Sequence, residues 1–399
     1  MMETILQTNI FEPILIEKAN GSWFWDTKGN KYLDCVSGTW CVNLGHNHPR
    51  VIQAMKEQMD KLVHRSMRFL TPMTLQAAED ILLFFPHEYD KITFLNSGTE
   101  AVEFAINFAQ KATNREKVLS LKNSYLGAYG IAKQYSYTSS KASDLKIDYP
   151  ECDDINCNCL EDFNPLIEHI IENYSSELAC FALEPILVSG GIHKPCTNFI
   201  NELCKQLQEV GVLIVIDEVT TGFGRTGRKF GYEHYDITPD VIALGKAMGN
   251  GYPISAIITK AELEEKISPS NRYYAQSHQL DPLGAIAAAT VVKIFEEEKV
   301  IEKSQEKIKQ FNAFFQTLSH PAIKEIRSHG MLFGIQVQSY NNISSTDLVL
   351  QIKDKLLDEG VLIGYSVGKE LLRLLPPLTI TTEEREFVFQ KLTKVFNEL

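Results

Sequence analysis

Five apolar runs of strand length recur through the middle of this chain: ITFLNS (92–97), KVLSLK (117–122), CFALEP (180–185), VLIVIDE (212–218) and VIALGK (241–246). Amphipathic helical stretches separate them. A strand wetted on one face alternates apolar with polar residues, and these runs do not alternate. They read as strands covered on both faces, the pattern of a mainly parallel sheet packed between helices. The segment YPISAIITK (252–260) adds one more strand. The expected fold class is therefore α/β, with this sheet in a large domain.

After about residue 285 the texture changes to one long helical stretch, AIAAATVVKIFEEEKVIEKSQEKIKQFNAFFQTL, with apolar residues at helical spacing. Two strand-like runs follow, GMLFGIQVQ (330–338) and ELLRLLPPL (370–378), with a helix around TDLVLQIKDKLLDEG between them. This tail reads as a smaller α+β unit. The first fifty residues carry strand-like SWFWD and KYLDCV and could pack on either unit.

The 399 residues suit one large domain and one smaller one, and 44% hydrophobic with 23% charged residues is an ordinary globular composition. The formal net charge of −12 is spread along the chain, which argues against nucleic-acid binding, since phosphate affinity needs clustered basic side chains. No window approaches bilayer-spanning length and the N-terminus has no basic start followed by an apolar run, so the expectation is a cytoplasmic protein with no membrane partner. Eight cysteines in a chain of this length need no disulfides. Cys152, Cys157 and Cys159 cluster in ECDDINCNC, but without a matching second pair the cluster reads as a polar surface loop, and no metal site is expected.

In an open parallel sheet, ligands bind beyond the carboxyl ends of the strands. Asp217 closes VLIVI, and Lys246 follows VIAL after one glycine, so a shared sheet would bring carboxylate and amine out on one edge. A buried salt bridge would explain the pair, but such a bridge seldom recovers the desolvation of both ions. A lysine in apolar surroundings also has a lowered pKa, which suits Schiff-base chemistry. In LNSGTEAVEFAINFAQKA another strand end meets a helix start, and Ser97 to Glu100 has capping-box spacing. Such a start offers unpaired N–H groups and a positive dipole end to an anion, with Gly98 allowing close approach. A phosphate site, a lysine and a carboxylate at strand ends are together what holding pyridoxal 5'-phosphate requires.

Several motifs in order make the chain resemble the class III aminotransferases, fold type I pyridoxal-phosphate enzymes: Gly38 to Pro49 (GxxxxxLGHNHP), FLNSGTEA, VIDEVTTGFGRTG, PDVIALGKAMGNGYP, DPLGAIAA and LRLLPPLTIT. The resemblance implies a large cofactor-binding domain at 50–295 and a small domain made of 1–49 and 296–399. It implies that Lys246 is the lysine joined to the cofactor and the acid/base of the reaction, and that Asp217 pairs with the ring nitrogen. Val219 would pack on one ring face and Tyr125 on the other, while Ser97, Gly98 and Thr99 hold the phosphate. Ser277 matches a threonine that reaches the phosphate from a neighbouring subunit, so a homodimer with shared active sites is implied. Arg373 would bind the substrate carboxylate, Glu184 would pair with Arg373, and Trp40, in a Trp-Cys-Val-Asn shared with amine:pyruvate transaminases, would line the substrate pocket.

The activity implied is transfer of an amino group from an amine or an ω- or α-amino acid to a 2-oxo acid. Some positions depart from the pattern: Leu126 follows Tyr125, Ala128 stands where ornithine-type enzymes carry a second arginine, Gly-Glu-Gly is missing after Pro185, and Ser277-His278 replaces Thr-Phe. Loss of that second guanidinium favours pyruvate over 2-oxoglutarate as acceptor. An aminomutase or a racemase of the same fold begins with the same chemistry, although LRLLPPLTIT belongs with the transaminases. A silent binding or regulatory protein would be expected to lack the lysine or aspartate, and no G-x-G-x-x-G opens a helix as a dinucleotide enzyme would need.

Overall fold

The computed structural model describes residues 5, 6, 8, 11–140, 145–152, 154 and 156–399. Three strands come from the N-terminal part: β1 (Ile16–Asn20), β2 (Trp23–Asp26) and β3 (Lys31–Asp34). The middle supplies β4 (Lys91–Leu95), β5 (Lys117–Leu121), β6 (Lys146–Ile147), β7 (Leu178–Leu183), β8 (Leu213–Asp217), β9 (Val241–Leu244) and β10 (Ser255–Thr259). The last part supplies β11 (Ile323–His329), β12 (Leu332–Val337), β13 (Val361–Leu362), β14 (Gly364–Ser366) and β15 (Leu371–Leu374).

The middle strands form one sheet in the order β4-β10-β9-β8-β7-β5-β6. Every residue of β7, β8, β9 and β10 is buried, as their unbroken apolar character demands. Neighbours from β9 to β6 pair in parallel, whereas β10 runs antiparallel to both β9 and β4. The link from β9 to β10 is too short for a helical crossover, so the chain returns antiparallel. The helix Gly98–Thr113 presents Ala101, Val102, Ala105, Ile106 and Ala109 inward, and these small side chains let it lie close to the sheet.

The long helical stretch is two helices, Pro282–Glu297 and Val300–Thr317, because Lys299 takes a left-handed φ of 50°. The first fifty residues join the end of the chain: β3 pairs in parallel with β13, and Cys35 N–H donates to Leu362 C=O at 2.9 Å. A third, antiparallel sheet has the order β11-β12-β15-β14.

Arg225, fully buried, fastens three distant parts of the chain. Its guanidinium donates to Asn43 Oδ1 at 2.5 Å, Pro376 C=O at 2.6 Å and Met331 C=O at 3.2 Å. Among the described residues no helix is long and apolar enough to cross a membrane.

Candidate active site

Asp217 ends β8 opposite Ala243 of β9, and Lys246 follows two residues after β9. The parallel register therefore delivers both groups to one edge of the sheet. Lys246 itself is left-handed, with φ 44°, a conformation that costs a side-chain-bearing residue about 1 kcal/mol. Its Nζ donates to Thr220 Oγ1 at 2.5 Å, an anchor that the doubled threonine of VIDEVTTG could have suggested. Burial depresses the Lys246 ammonium below the usual lysine range, while the negative charges of Asp217, Cys41 and Glu184 oppose the shift.

Asp217 is buried, whereas Lys246 is half-buried. Burial lifts its carboxyl to about 6, against the Val219 N–H bonded to Oδ1 at 2.9 Å and the nearby Lys246. With Oδ1 taken in this way, Oδ2 is left for a donor in the cleft. Glu184 is lifted well above the carboxylate range by burial first and by Asp217 second.

Val219 sits between two glycines. A Cβ on Gly98 would lie 2.6 Å from Val219 Cγ1, and one on Gly245 would lie 3.3 Å from the same atom. These glycines admit the valine side chain against the first turn of Gly98–Thr113. Ser97 caps that helix, accepting Glu100 N–H at 3.2 Å, and Thr99 Oγ1 accepts Ala128 N–H at 3.1 Å. Only half of the expected capping box forms. Glu100 reaches past Ser97 to the Asn96 N–H at 3.0 Å, and its other oxygen accepts Tyr274 O–H at 2.8 Å. The helix start remains open for an anion, since its first N–H groups have no acceptor within the helix.

Trp40 arrives from the far N-terminal part on an unusual turn. Ser37, Gly38, Thr39 and Trp40 are all left-handed, with φ of 49°, 57°, 61° and 68°. Strain of this kind persists only where surroundings enforce it. Here Asp34 accepts the N–H groups of Val36 and Gly38 at 2.8 and 2.7 Å and contacts His46 Nε2 at 2.7 Å. Ser37 Oγ donates to Leu375 C=O at 2.5 Å, which pins the turn beside β15. The Trp40 ring consequently faces two cations, with Lys246 Nζ 4.8 Å and the Arg373 guanidinium 5.2 Å from the ring centroid. Neither Asp34 nor Ser37 stood out in the sequence, because each acts through backbone groups that fold into place.

The expected pairing of Glu184 with Arg373 is not formed. Glu184 Oε2 accepts the Tyr125 N–H at 2.5 Å, and Arg373 donates to Tyr365 C=O at 2.9 Å while its buried Nε has no partner. The amide of Tyr125 competes successfully because it sits where β5 leads into its loop. Tyr125 itself is half-buried, 6.4 Å from the ring of Tyr137. Leu126 is buried in the core rather than facing the cleft. Ser277 lies exposed, and no contact within this chain joins it to the cluster among the described residues.

The structure thus gathers Lys246, Asp217, Val219, Gly98, Trp40, Glu184, Tyr125 and Arg373 around one sheet edge. Residues 6–396 match the family described as aminotransferase class-III, and the chain belongs to that family. Its particular relatives include an acetylornithine aminotransferase of Caldanaerobacter subterraneus, 33% identical over 97% of this chain and 95% of the relative. A [LysW]-aminoadipate semialdehyde/glutamate semialdehyde transaminase of Sulfurisphaera tokodaii is 30% identical over 94% of this chain and 92% of its own length. The solved ornithine aminotransferase of Toxoplasma gondii, described with partial occupancy of PLP at its active site, superposes with a TM-score of 0.86 at 26% identity, covering 99% of this chain and 92% of that one.

The protein is therefore an aminotransferase of fold type I, an α/β enzyme whose cofactor is pyridoxal 5'-phosphate. The residues present fit that group: an amine of lowered basicity, a buried carboxylate with one oxygen unused, and an open helix start beside Gly98.

Proposed function

We propose that this enzyme moves an amino group from an amine or amino acid to a small monocarboxylic 2-oxo acid, with pyruvate preferred over 2-oxoglutarate. The observation that carries this is Arg373. It stands beside Trp40 and Lys246 with no carboxylate partner among the described residues, whereas position 128, where a second guanidinium would receive a second carboxylate, is an exposed alanine.

Pyridoxal 5'-phosphate, when bound, supplies an electron sink that stabilises negative charge on the substrate carbon bearing nitrogen. Lys246 Nζ, its basicity lowered by burial and its position set by Thr220, would take the proton from that carbon and give it back at another. Asp217 would keep a positive charge on the cofactor's ring nitrogen through the oxygen that Val219 leaves unused. Ser97, Gly98 and Thr99 would hold its phosphate, and Val219 and Tyr125 would bound its ring. Arg373 takes the acceptor's carboxylate while the Trp40 face closes the pocket. Glu184 fixes the Tyr125 loop and acts as a buried neighbour of Asp217.

Ser277, exposed in the single chain, fits a role in a second subunit's phosphate site, so a homodimer with shared sites is part of this proposal. So are a cytoplasmic setting and the division into 50–295 and 1–49 plus 296–399, which the pairing of β3 with β13 supports. The names of the relatives point to acetylornithine, ornithine or a semialdehyde as alternative substrates. The test is a half-reaction: holoenzyme is converted to its amino form with an amine donor, then mixed with each acceptor, and recovery of the original visible absorption is timed. Faster recovery with pyruvate is expected. Faster recovery with 2-oxoglutarate would overturn the use made of Ala128.

A further inference from the structure

Outside the groups used above, the loop before the helix Cys159–Tyr174 folds against the loop before the helix Thr197–Glu209. The fold adds Cys196 to the sequence cluster. The sulfurs of Cys152, Cys157, Cys159 and Cys196 all lie within 4.8 Å of one another, and Cys157 Sγ is 3.5 Å from Cys196 Sγ. All four are free thiols. From this arrangement we infer that Cys152, Cys157, Cys159 and Cys196 bind one zinc ion as a closed, structural tetrathiolate site.

The spacing selects a single ion. Zn–S bonds of about 2.3 Å in a tetrahedron set sulfurs about 3.8 Å apart, so the four sulfurs need only small movements. Iron–sulfur clusters place several metal atoms between their thiolates and need a wider opening. Four protein ligands leave no position for water or substrate, which makes the site structural rather than catalytic.

Charge also favours the ion. Four thiolates around zinc carry a net charge of −2, and Cys159 opens one helix while Cys196 directly precedes another. Both positive dipole ends therefore lie beside the site. The backbone also joins the two loops: Cys196 N–H donates to Pro150 C=O at 2.8 Å. Cys196 is 1% exposed, and the other three pack on the main hydrophobic core. Three cysteines from one loop could not show this, because the fourth ligand comes from beyond the next strand.

Zinc here would fasten the outer end of the segment that starts at Glu184. That segment places Ile186, Val188 and Ile192 in the cluster that backs Trp40. The ion thereby stiffens the wall behind the substrate pocket without touching it.

The test is metal analysis of untagged holoenzyme purified under reducing conditions from zinc-supplemented cells. One zinc per chain is expected, released by a mercurial thiol reagent as the four thiolates are converted to mercaptides. Cys157→Ser and Cys152→Ser should each lower zinc content at least tenfold, while Cys41→Ser should keep it. If the serine variants fail to fold, exchange of wild-type zinc for cobalt serves instead, with intense visible bands of a tetrahedral tetrathiolate expected. Zinc below a tenth of an ion per chain, iron in its place, or a disulfide among these four cysteines would each overturn the assignment. Because metal content is read directly, the result is independent of which oxo acid the enzyme prefers.

Discussion

Replacing Gly98 by alanine tests whether Val219 is locked in position. The new methyl would sit 2.6 Å from Val219 Cγ1 and 3.1 Å from Cγ2, against an ordinary contact of 3.4 Å or more. Gly98 is helical and not left-handed, so the backbone accepts alanine and only this clash opposes it. Val219 cannot easily retreat: its N–H is bonded to Asp217, and Gly245 lies close against the same methyl. Overpacking of this kind costs about 1–3 kcal/mol. Alanine in a helix regains about 0.5–1 kcal/mol over glycine. Gly98→Ala should therefore destabilise the wild-type chain by up to roughly 2.5 kcal/mol, and in a Val219→Ala background, where both methyls are gone, it should be neutral or stabilising. The assay is urea denaturation of the four proteins in cofactor-free form, which removes the stabilisation that ligand binding would add. An equal cost of Gly98→Ala in both backgrounds would refute the steric lock.

Other outcomes follow from groups outside the cleft. Arg225→Met should cost about 3–5 kcal/mol, because Asn43 Oδ1 and the carbonyls of Met331 and Pro376 lose their donor in the interior; a thermal shift small enough for a surface change would contradict the three-way fastening. Glu218 accepts Thr221 O–H and the N–H groups of Gly231 and Tyr232, yet burial pushes its carboxyl up to about 7. Folding thus disfavours its charged form, and its stability penalty grows as pH rises from about 4.5 through 7, to roughly 3 kcal/mol. The urea midpoint of wild type should exceed that of Glu218→Gln most at pH 5 and progressively less towards pH 8; a constant gap would show that the three hydrogen bonds hold the carboxylate charged throughout.

The central strands were legible because burial on both faces writes itself as unbroken apolar runs. β11 was not, since its charged Lys324, Glu325 and Arg327 give no such run, and β6 spans only Lys146–Ile147. The direction of β10 depends on connection length rather than on its residues, and the break at Lys299 has no glycine or proline to mark it. Within the site, Lys246 and Asp217 were visible as polar residues at apolar strand ends. Thr220, Asp34 and Ser37 were not, because what they hold is set by tertiary contacts. The Tyr125 N–H that Glu184 accepts is hidden for the same reason: a backbone amide carries no signature in a sequence.

The turn that carries Trp40 is held by Asp34 from its own segment and by Leu375 from near the other end of the chain. On a ribosome the two are separated by nearly the whole of synthesis. The lysine, the aspartate and the phosphate-binding helix can all be in place while that turn still lacks its second anchor. A chain halted before residue 375 would lack that anchor, so the wall that carries Trp40 is completed only after the elements bearing the lysine, the aspartate and the helix start have been made.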